Sequence, residues 1–262
     1  MRPCTRRIVS AAVVIKAASL NADRVEHAPW CRTAPVALPI HTRPPRRLAA
    51  SPGTFAPMGF VDTVSLRSRR RKFRLFMDEL RPTSETTVLD VGVDEVGFGA
   101  EGGQSGCGTH NFFEELYPWR ERITALGLHD GAGFRASYPT VDYVQGDGCT
   151  LPFGDGAFDV VFSNAVVEHV GDRERQQQFV SEALRVGRRV FLTTPNRWFP
   201  LEVHTRLPLV HWLPKSGSDR AYELAGKGWA KENHLLGSGD LRRLFPDEVR
   251  IVNLGLTLVA VT

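Results

Sequence analysis

Four short runs of this sequence bring together residue types that could hold a charged, hydroxyl-bearing ligand and move a proton. In Val88-Leu-Asp-Val-Gly92 a β-branched stretch ends in Asp90 and Gly92. A glycine there lets the backbone approach a ligand closely, and a carboxylate can hold an ammonium or a hydroxyl. The run Gln145-Gly-Asp147-Gly148-Cys149-Thr-Leu151-Pro-Phe153 sets a second acid in a glycine turn, and Phe158-Asp-Val-Val-Phe-Ser-Asn164 follows it. Next comes Glu168-His169-Val170. Imidazole titrates near neutrality, so His169 is the candidate acid or base; as a helix-start residue it could equally only hydrogen-bond the backbone. Glu168 beside it suits the positive end of the helix expected there. Finally, Thr194-Pro-Asn-Arg197-Trp198-Phe199-Pro-Leu-Glu-Val-His204 and Leu207-Pro-Leu-Val-His-Trp212-Leu-Pro214 gather aromatics and prolines. They would form an apolar cover over a substrate pocket or, alternatively, a segment lying on a membrane surface. Their histidines, with His234, lack metal-ligand spacing, so no metal site is expected.

Such residues act only if secondary structure gathers them. From Thr86 the pattern becomes short β-branched runs separated by helical stretches. Strands are predicted over 88–91, 123–128, 141–144, 158–163 and 189–194, and helices over 111–116 and 173–186. Alternating strand and helix makes βαβ units, and right-handed crossovers wind them into a parallel sheet covered on both faces. Ligands of such sheets sit beyond the carboxyl ends of the strands. Two last strands, 249–253 and 256–261, are joined by a tight turn and must pair antiparallel. The expected class is α/β, a doubly wound, mostly parallel sheet with a C-terminal antiparallel strand pair.

The run from Asp147 through Leu151-Pro-Phe153 and Phe158-Asp-Val-Val to Asn164, followed by Glu168-His169, resembles class I S-adenosylmethionine-dependent methyltransferases, specifically the small-molecule group called methyltransferase type 11. The resemblance covers roughly residues 60–262 and is strongest from Val141 to Asn196. It implies a Rossmann-like methyltransferase fold over 58–262, S-adenosylmethionine as cofactor, and a methylated small molecule as product. By the same resemblance, Asp90 and Gly92 lie near the methionine part of the cofactor. Asp147 lies near the adenine amino group, with Gly148 and Cys149 beside the ring, and Asn164 beside the sulfonium and the substrate. The family's ribose-binding acid belongs at the end of the second strand, where His129 stands; the ribose contact is assigned to the next residue, Asp130. His169 faces the reacting sulfonium. The sequence departs from the family after Gly92, where Gly-x-Gly-x-Gly is replaced by Gly92-Val-Asp94-Glu95 and a loop with glycines at 97, 99, 102, 103, 106 and 108. Residues 196–235 would be a lid, and Trp198, Phe199, Trp212 and Trp229 suggest a lipophilic or ring-bearing acceptor. A nicotinamide-dependent dehydrogenase is disfavoured, because Gly-x-Gly-x-x-Gly does not follow the first strand.

Composition sets the frame. The chain has 262 residues, 42% of them hydrophobic and 24% charged, which suits one globular core. Residues 1–57 hold nine Lys and Arg against Asp23 and Glu26, so the overall +4 divides into +7 for this leader and −3 for the body. Eight of the 17 prolines also fall there, and the leader is expected to be disordered. It reads as a secretory signal, an Arg-rich transit peptide, or sequence upstream of a native start at Met58; the last is preferred. The run Arg67–Arg74 reads as the solvated face of an amphipathic helix whose apolar stripe is Leu66, Phe73, Leu75, Phe76 and Leu80. Its alternative is a phosphate-binding patch, which would suit a catalytically inactive module contacting nucleic acid or acidic lipid. Cys4, Cys31, Cys107 and Cys149 form no C-x-x-C pair. A reducing, cytoplasmic compartment and no transmembrane segment are expected.

Overall fold

The computed structural model describes residues 60–94 and 111–262, with side chains from Val64 onward. The leader over 1–57, the glycine-rich stretch 97–108, Cys4, Cys31 and Cys107 lie outside the described residues.

Seven strands form one sheet in the order β3-β2-β1-β4-β5-β7-β6. They are β1 (Val88–Val91), β2 (Ile123–Gly127), β3 (Asp142–Gln145), β4 (Phe158–Asn164), β5 (Gly187–Pro195), β6 (Arg250–Asn253) and β7 (Thr257–Val261). The first five run parallel, while β7 is antiparallel to both β5 and β6. The doubly wound sheet with its C-terminal antiparallel pair is therefore present as expected. Strand bounds move by one or two residues, because β1, β4 and β5 are buried nearly throughout and carry no alternation to mark their ends.

The helices are α1 (Phe60–Leu80), α2 (Phe112–Leu116), α3 (Ala132–Ser137), α4 (Arg173–Val186), α5 (Lys215–Leu224) and α6 (Ser238–Arg242). One face of the sheet is covered by α1, α2 and α3, where Phe76 meets Phe113, Phe162 and Phe191 edge-on at ring separations of 5.0, 5.7 and 5.3 Å. The other face packs against α4 and α6 through Phe179, Val180, Ala183, Val186, Leu241 and Leu244. At the bottom of the sheet Asp159 accepts from the backbone N–H and hydroxyl of Thr87, at 3.0 and 2.9 Å, and so staples the start of β4 to the entry of β1. No helix among the described residues is long and apolar enough to cross a membrane.

Two expectations need correction. Arg67, Arg70, Arg71 and Arg74 are exposed as a solvated face requires, but Lys72 is turned inward and only 6% exposed. It stands four residues before Phe76 and eight before Leu80, so helical periodicity puts it on the apolar stripe. Secondly, α4 begins at Arg173 with Asp172 as its cap, accepting from the Arg175 N–H at 3.1 Å. Glu168 and His169 thus lie in the turn before the helix, and Glu168 is fully buried rather than placed at the helix end.

Candidate active site

The strand order reverses between β1 and β4, and this is where an open α/β sheet forms its ligand crevice. Gly92 leaves β1 with φ +96°, its N–H bonded to the Leu126 carbonyl at 2.8 Å. A side chain there would put its Cβ 2.2 Å from a Val166 methyl in the loop after β4. Only glycine combines that left-handed backbone with so close an approach of the two loops. Asn111, just before α2, exchanges hydrogen bonds with the backbone of Asp94 at 3.1 and 2.8 Å, fixing the far side of the β1 loop.

Asp90 is almost completely buried, and Glu114 of α2 is fully so. Neither Glu114 oxygen has a hydrogen-bond partner of good geometry among the described residues. Burial and the proximity of Glu114 push the Asp90 carboxyl well above its ordinary range, and burial raises Glu114 to about 7. The folded state therefore holds a proton that the unfolded chain releases. Stability from this source is complete below the ordinary carboxylate range and is lost as pH rises through the folded value. Glu114→Gln should accordingly flatten the fall in melting temperature between pH 5 and 8, relieving on the order of 3 kcal/mol at the alkaline end. Thermal unfolding across that range checks this; an unchanged slope would contradict it.

Asp147 lies in the turn after β3. Its carboxylate accepts from the Cys149 N–H at 2.8 Å and from Arg175 of α4 at 2.9 Å, and these bonds, the backbone one foremost, hold it below its usual range. Gly148 is demanded by packing, since a Cβ would fall 2.5 Å from the Phe179 ring. Cys149 is buried, and burial raises its thiol to about 11, so it serves as core under the turn rather than as a nucleophile. Asp130 is exposed at the end of β2 and accepts from the Ala132 N–H at 3.0 Å. The structure thus brings Gly92, Asp130, Asp147 and Asn164 to the carboxyl edge of the sheet, in the loops after β1, β2 and β3 and at the end of β4.

Asn164 ends β4. Its side-chain oxygen accepts from Thr193 of β5 at 2.8 Å and from the Lys72 ammonium, which also lies 5.4 Å from the Phe112 ring centroid. That leaves the amide nitrogen, with no partner among the described residues, as the donor available to a ligand. Burial first, then the charge of Arg69, brings Lys72 down to about 7. The turn continues through Ala165, held at φ +58°, where a non-glycine residue is strained.

Glu168, His169 and His204 converge behind this turn. Glu168 accepts from the Thr194 hydroxyl at 2.9 Å with Oε2. Thr193 and Thr194 point to opposite sides of β5, so one strand end positions both Asn164 and Glu168. His169 Nδ1 meets Asn233 Oδ1 at 3.0 Å, and its Nε2 lies 3.1 Å from His204 Nε2. His204 Nδ1 in turn lies 2.9 Å from the buried Glu202 carboxylate. Burial lowers His169. Burial also opposes the charge on His204, but the carboxylates of Glu168 and Glu202 outweigh it and raise the imidazole to about 9.

Four members of this constellation have no site role in the sequence expectations: Lys72, Glu114, Glu202 and His204, the last expected only as a satisfied or exposed imidazole. Helical phase alone could have found Lys72. His204 meets His169 only because residues 196–209 fold back, anchored where Asn196 donates to the Gly255 carbonyl at 2.9 Å and Arg197 to that of Leu236 at 3.0 Å. Beyond them, two short 3₁₀ turns, Val210–Trp212 and Gly228–Glu232, and α5 enclose Val210, Tyr222 and Ala230, and Leu207, Leu209, Val210, Leu213 and Ala221 line an open apolar pocket of about 390 Å³. Trp198, Trp212 and Trp229 are exposed on the same segment.

Residues 104–189 match the methyltransferase domain family. A protein of Mycolicibacterium smegmatis named as a probable S-adenosylmethionine-dependent methyltransferase is 39% identical over 99 residues, 36% of this chain and 37% of that protein. A protein of Mycobacterium tuberculosis, also named as a probable S-adenosylmethionine-dependent methyltransferase, is 35% identical over 96 residues, 36% of this chain and 35% of that protein. The chain thus spans little more than a third of the length of the curated relatives it matches. Among solved structures, the N-methyltransferase NodS of Bradyrhizobium japonicum in complex with S-adenosyl-L-homocysteine superposes with a TM-score of 0.46 at 13% identity, covering 74% of this chain and 84% of that one.

Proposed function

We propose that this chain, which carries a class I S-adenosylmethionine-dependent methyltransferase domain, transfers a methyl group to a small lipophilic or ring-bearing acceptor. The observation that carries the reading is the close approach of the β1 loop at Gly92 to the β4 loop at Val166, beside Asn164, at the switch point of the sheet. The donor set suits the cofactor. A buried carboxyl pair, Asp90 and Glu114, lies at the end of β1, where the cofactor's ammonium is assigned. Asp147 and the Gly148–Cys149 turn are assigned to the adenine, Asp130 to the ribose diol, and the free amide of Asn164 to the sulfonium side.

When bound, the cofactor supplies a methyl group on a positively charged sulfur, which a nucleophile can attack in line. Lys72 and Thr193 fix the Asn164 side chain so that its amide faces the ligand in one orientation. Gly92 lets the β1 loop close on Val166 of the β4 loop. His169 is assigned the proton that an acceptor hydroxyl or activated carbon must lose. Methyl transfer needs chiefly alignment and a dry site, so this one group adds to a positioned reaction rather than creating it.

The segment 196–235 is assigned as the lid and acceptor pocket, on the apolar lining from Leu207 to Ala221 and the tryptophans beside it. Transfer of labelled methyl groups into quinone, lipid, sugar and polyketide extracts tests the acceptor class. Label in apolar, ring-bearing products supports it; label confined to polar products would overturn it. Nothing in the comparisons favours an inactive nucleic-acid or lipid-binding module, and the inward turn of Lys72 removes one charge from the patch that reading needs.

A further inference from the structure

We propose that His169, His204 and Glu168 form a binding site for one divalent transition-metal ion of the zinc type. The three atoms that face one another are His169 Nε2, His204 Nε2 and Glu168 Oε1, at separations of 3.1, 3.8 and 3.6 Å. A triangle with those sides has its centre about 2.0 Å from every corner, which is the length of zinc bonds to imidazole nitrogen and carboxylate oxygen.

The bonding of each residue agrees with this use. Glu168 Oε1 is fully buried and, among the described residues, has only the two imidazoles at 3.6 and 3.8 Å and no hydrogen-bond partner, while Oε2 is occupied by Thr194. A buried carboxylate oxygen without a hydrogen bond is costly unless a positive charge meets it, here the protonated imidazole pair or a bound cation. The two imidazoles turn their Nδ1 atoms to acceptors, Asn233 Oδ1 for His169 and the Glu202 carboxylate for His204. Both Nδ1 atoms therefore carry hydrogen, and once the proton shared between the rings is displaced both Nε2 lone pairs point at the same space. Lone pairs so arranged repel unless a proton or a cation lies between them. A carboxylate or amide oxygen on the far nitrogen is also the usual outer support of a metal-bound histidine. Two imidazoles and one carboxylate are the donor types that zinc, cobalt(II) and iron(II) accept, whereas magnesium and calcium call for oxygen ligands.

Three protein ligands leave a further position open. The consequence for catalysis rests on the methyl-transfer reading, although the site itself does not. An acceptor hydroxyl bound there would release its proton to solvent. Its oxygen would form the new bond to the methyl carbon as the carbon–sulfur bond breaks and the sulfur keeps the electron pair. His169 would then serve the deprotonation as a ligand rather than as a free base.

The test uses the full-length protein stripped with a chelator and titrated with cobalt(II), then with zinc in competition with a chromophoric chelator. Expected are one ion per chain, cobalt absorption in the visible of four-coordinate intensity, and loss of both in a His169→Ala, His204→Ala double variant of native circular dichroism. Glu202→Gln should weaken binding by about 10- to 100-fold through its support of His204. No cobalt spectrum in the wild type would overturn the site and leave the two imidazoles sharing a proton. Uptake undiminished in the double variant would overturn it too. S-adenosylhomocysteine binding and methyl transfer are measured on the same stripped protein. Transfer that needs no metal overturns the proposed role while the methyltransferase reading stands; one bound ion without cofactor binding would do the reverse.

Discussion

His169→Ala is expected to lower turnover by roughly 10²- to 10⁴-fold at saturating acceptor, while cofactor affinity stays nearly unchanged. The imidazole lies in the turn after β4, beyond Asn164, and its ring contacts are His204 and Asn233 rather than any residue assigned to the cofactor. Removing it takes away the group that accepts the acceptor's proton or holds the cation that loosens it. The fold should tolerate the change, since the side chain is 39% exposed and α4 is capped independently by Asp172. The assay must use an acceptor whose hydroxyl or activated carbon has to lose a proton, because a ready nucleophile would hide the loss. Weakened cofactor binding with unaltered turnover at saturation would make His169 a binding or structural group and refute the assignment.

Gly92→Ala should abolish measurable binding of S-adenosylhomocysteine and lower stability by about 2–5 kcal/mol. The left-handed backbone costs a non-glycine residue roughly 1–2 kcal/mol, and forcing a methyl group into an already filled space adds about 1–3 kcal/mol. Val166 cannot retreat freely: it follows the strained Ala165, and its carbonyl accepts from the His169 N–H at 2.8 Å. Relief must come from moving the β1 loop off the β4 loop, which opens the crevice on which cofactor binding depends. Gly154→Ala is the control, because its added methyl group meets nothing within 4 Å. Calorimetric titration and thermal unfolding of both variants check the pair; a Gly92→Ala protein that binds normally would show that the close approach is not part of the cofactor site.

What could be read from the sequence divides along a physical line. The strands were legible because five β-branched runs separated by helical stretches admit few topologies, and the antiparallel β6–β7 pair followed from a turn too short for a crossover. The placement of Asp90, Gly92, Asp147 and Asn164 at or just beyond strand ends was legible because the β-branched runs mark those ends. Side chains that act through distant partners were not. Lys72 was hidden in a basic run, with only its phase relative to Phe76 to distinguish it. Glu168 looked like a helix-start carboxylate because the turn from Ala165 to Asp172 leaves no periodic trace. His204 pairs with His169 across residues far apart in the chain, and no local spacing encodes a loop that folds back over a sheet edge. Gly148 and Cys149, assigned to the adenine, also carry a packing duty against Phe179 and the core that spacing could not reveal.

Isothermal titration of the purified full-length chain with S-adenosylmethionine and S-adenosylhomocysteine tests the central claim most directly, with NAD as the contrasting dinucleotide. One molar equivalent of heat-releasing binding for the two sulfur compounds, and none for NAD, is the predicted result. Binding of NAD with no heat from either sulfur compound would contradict it.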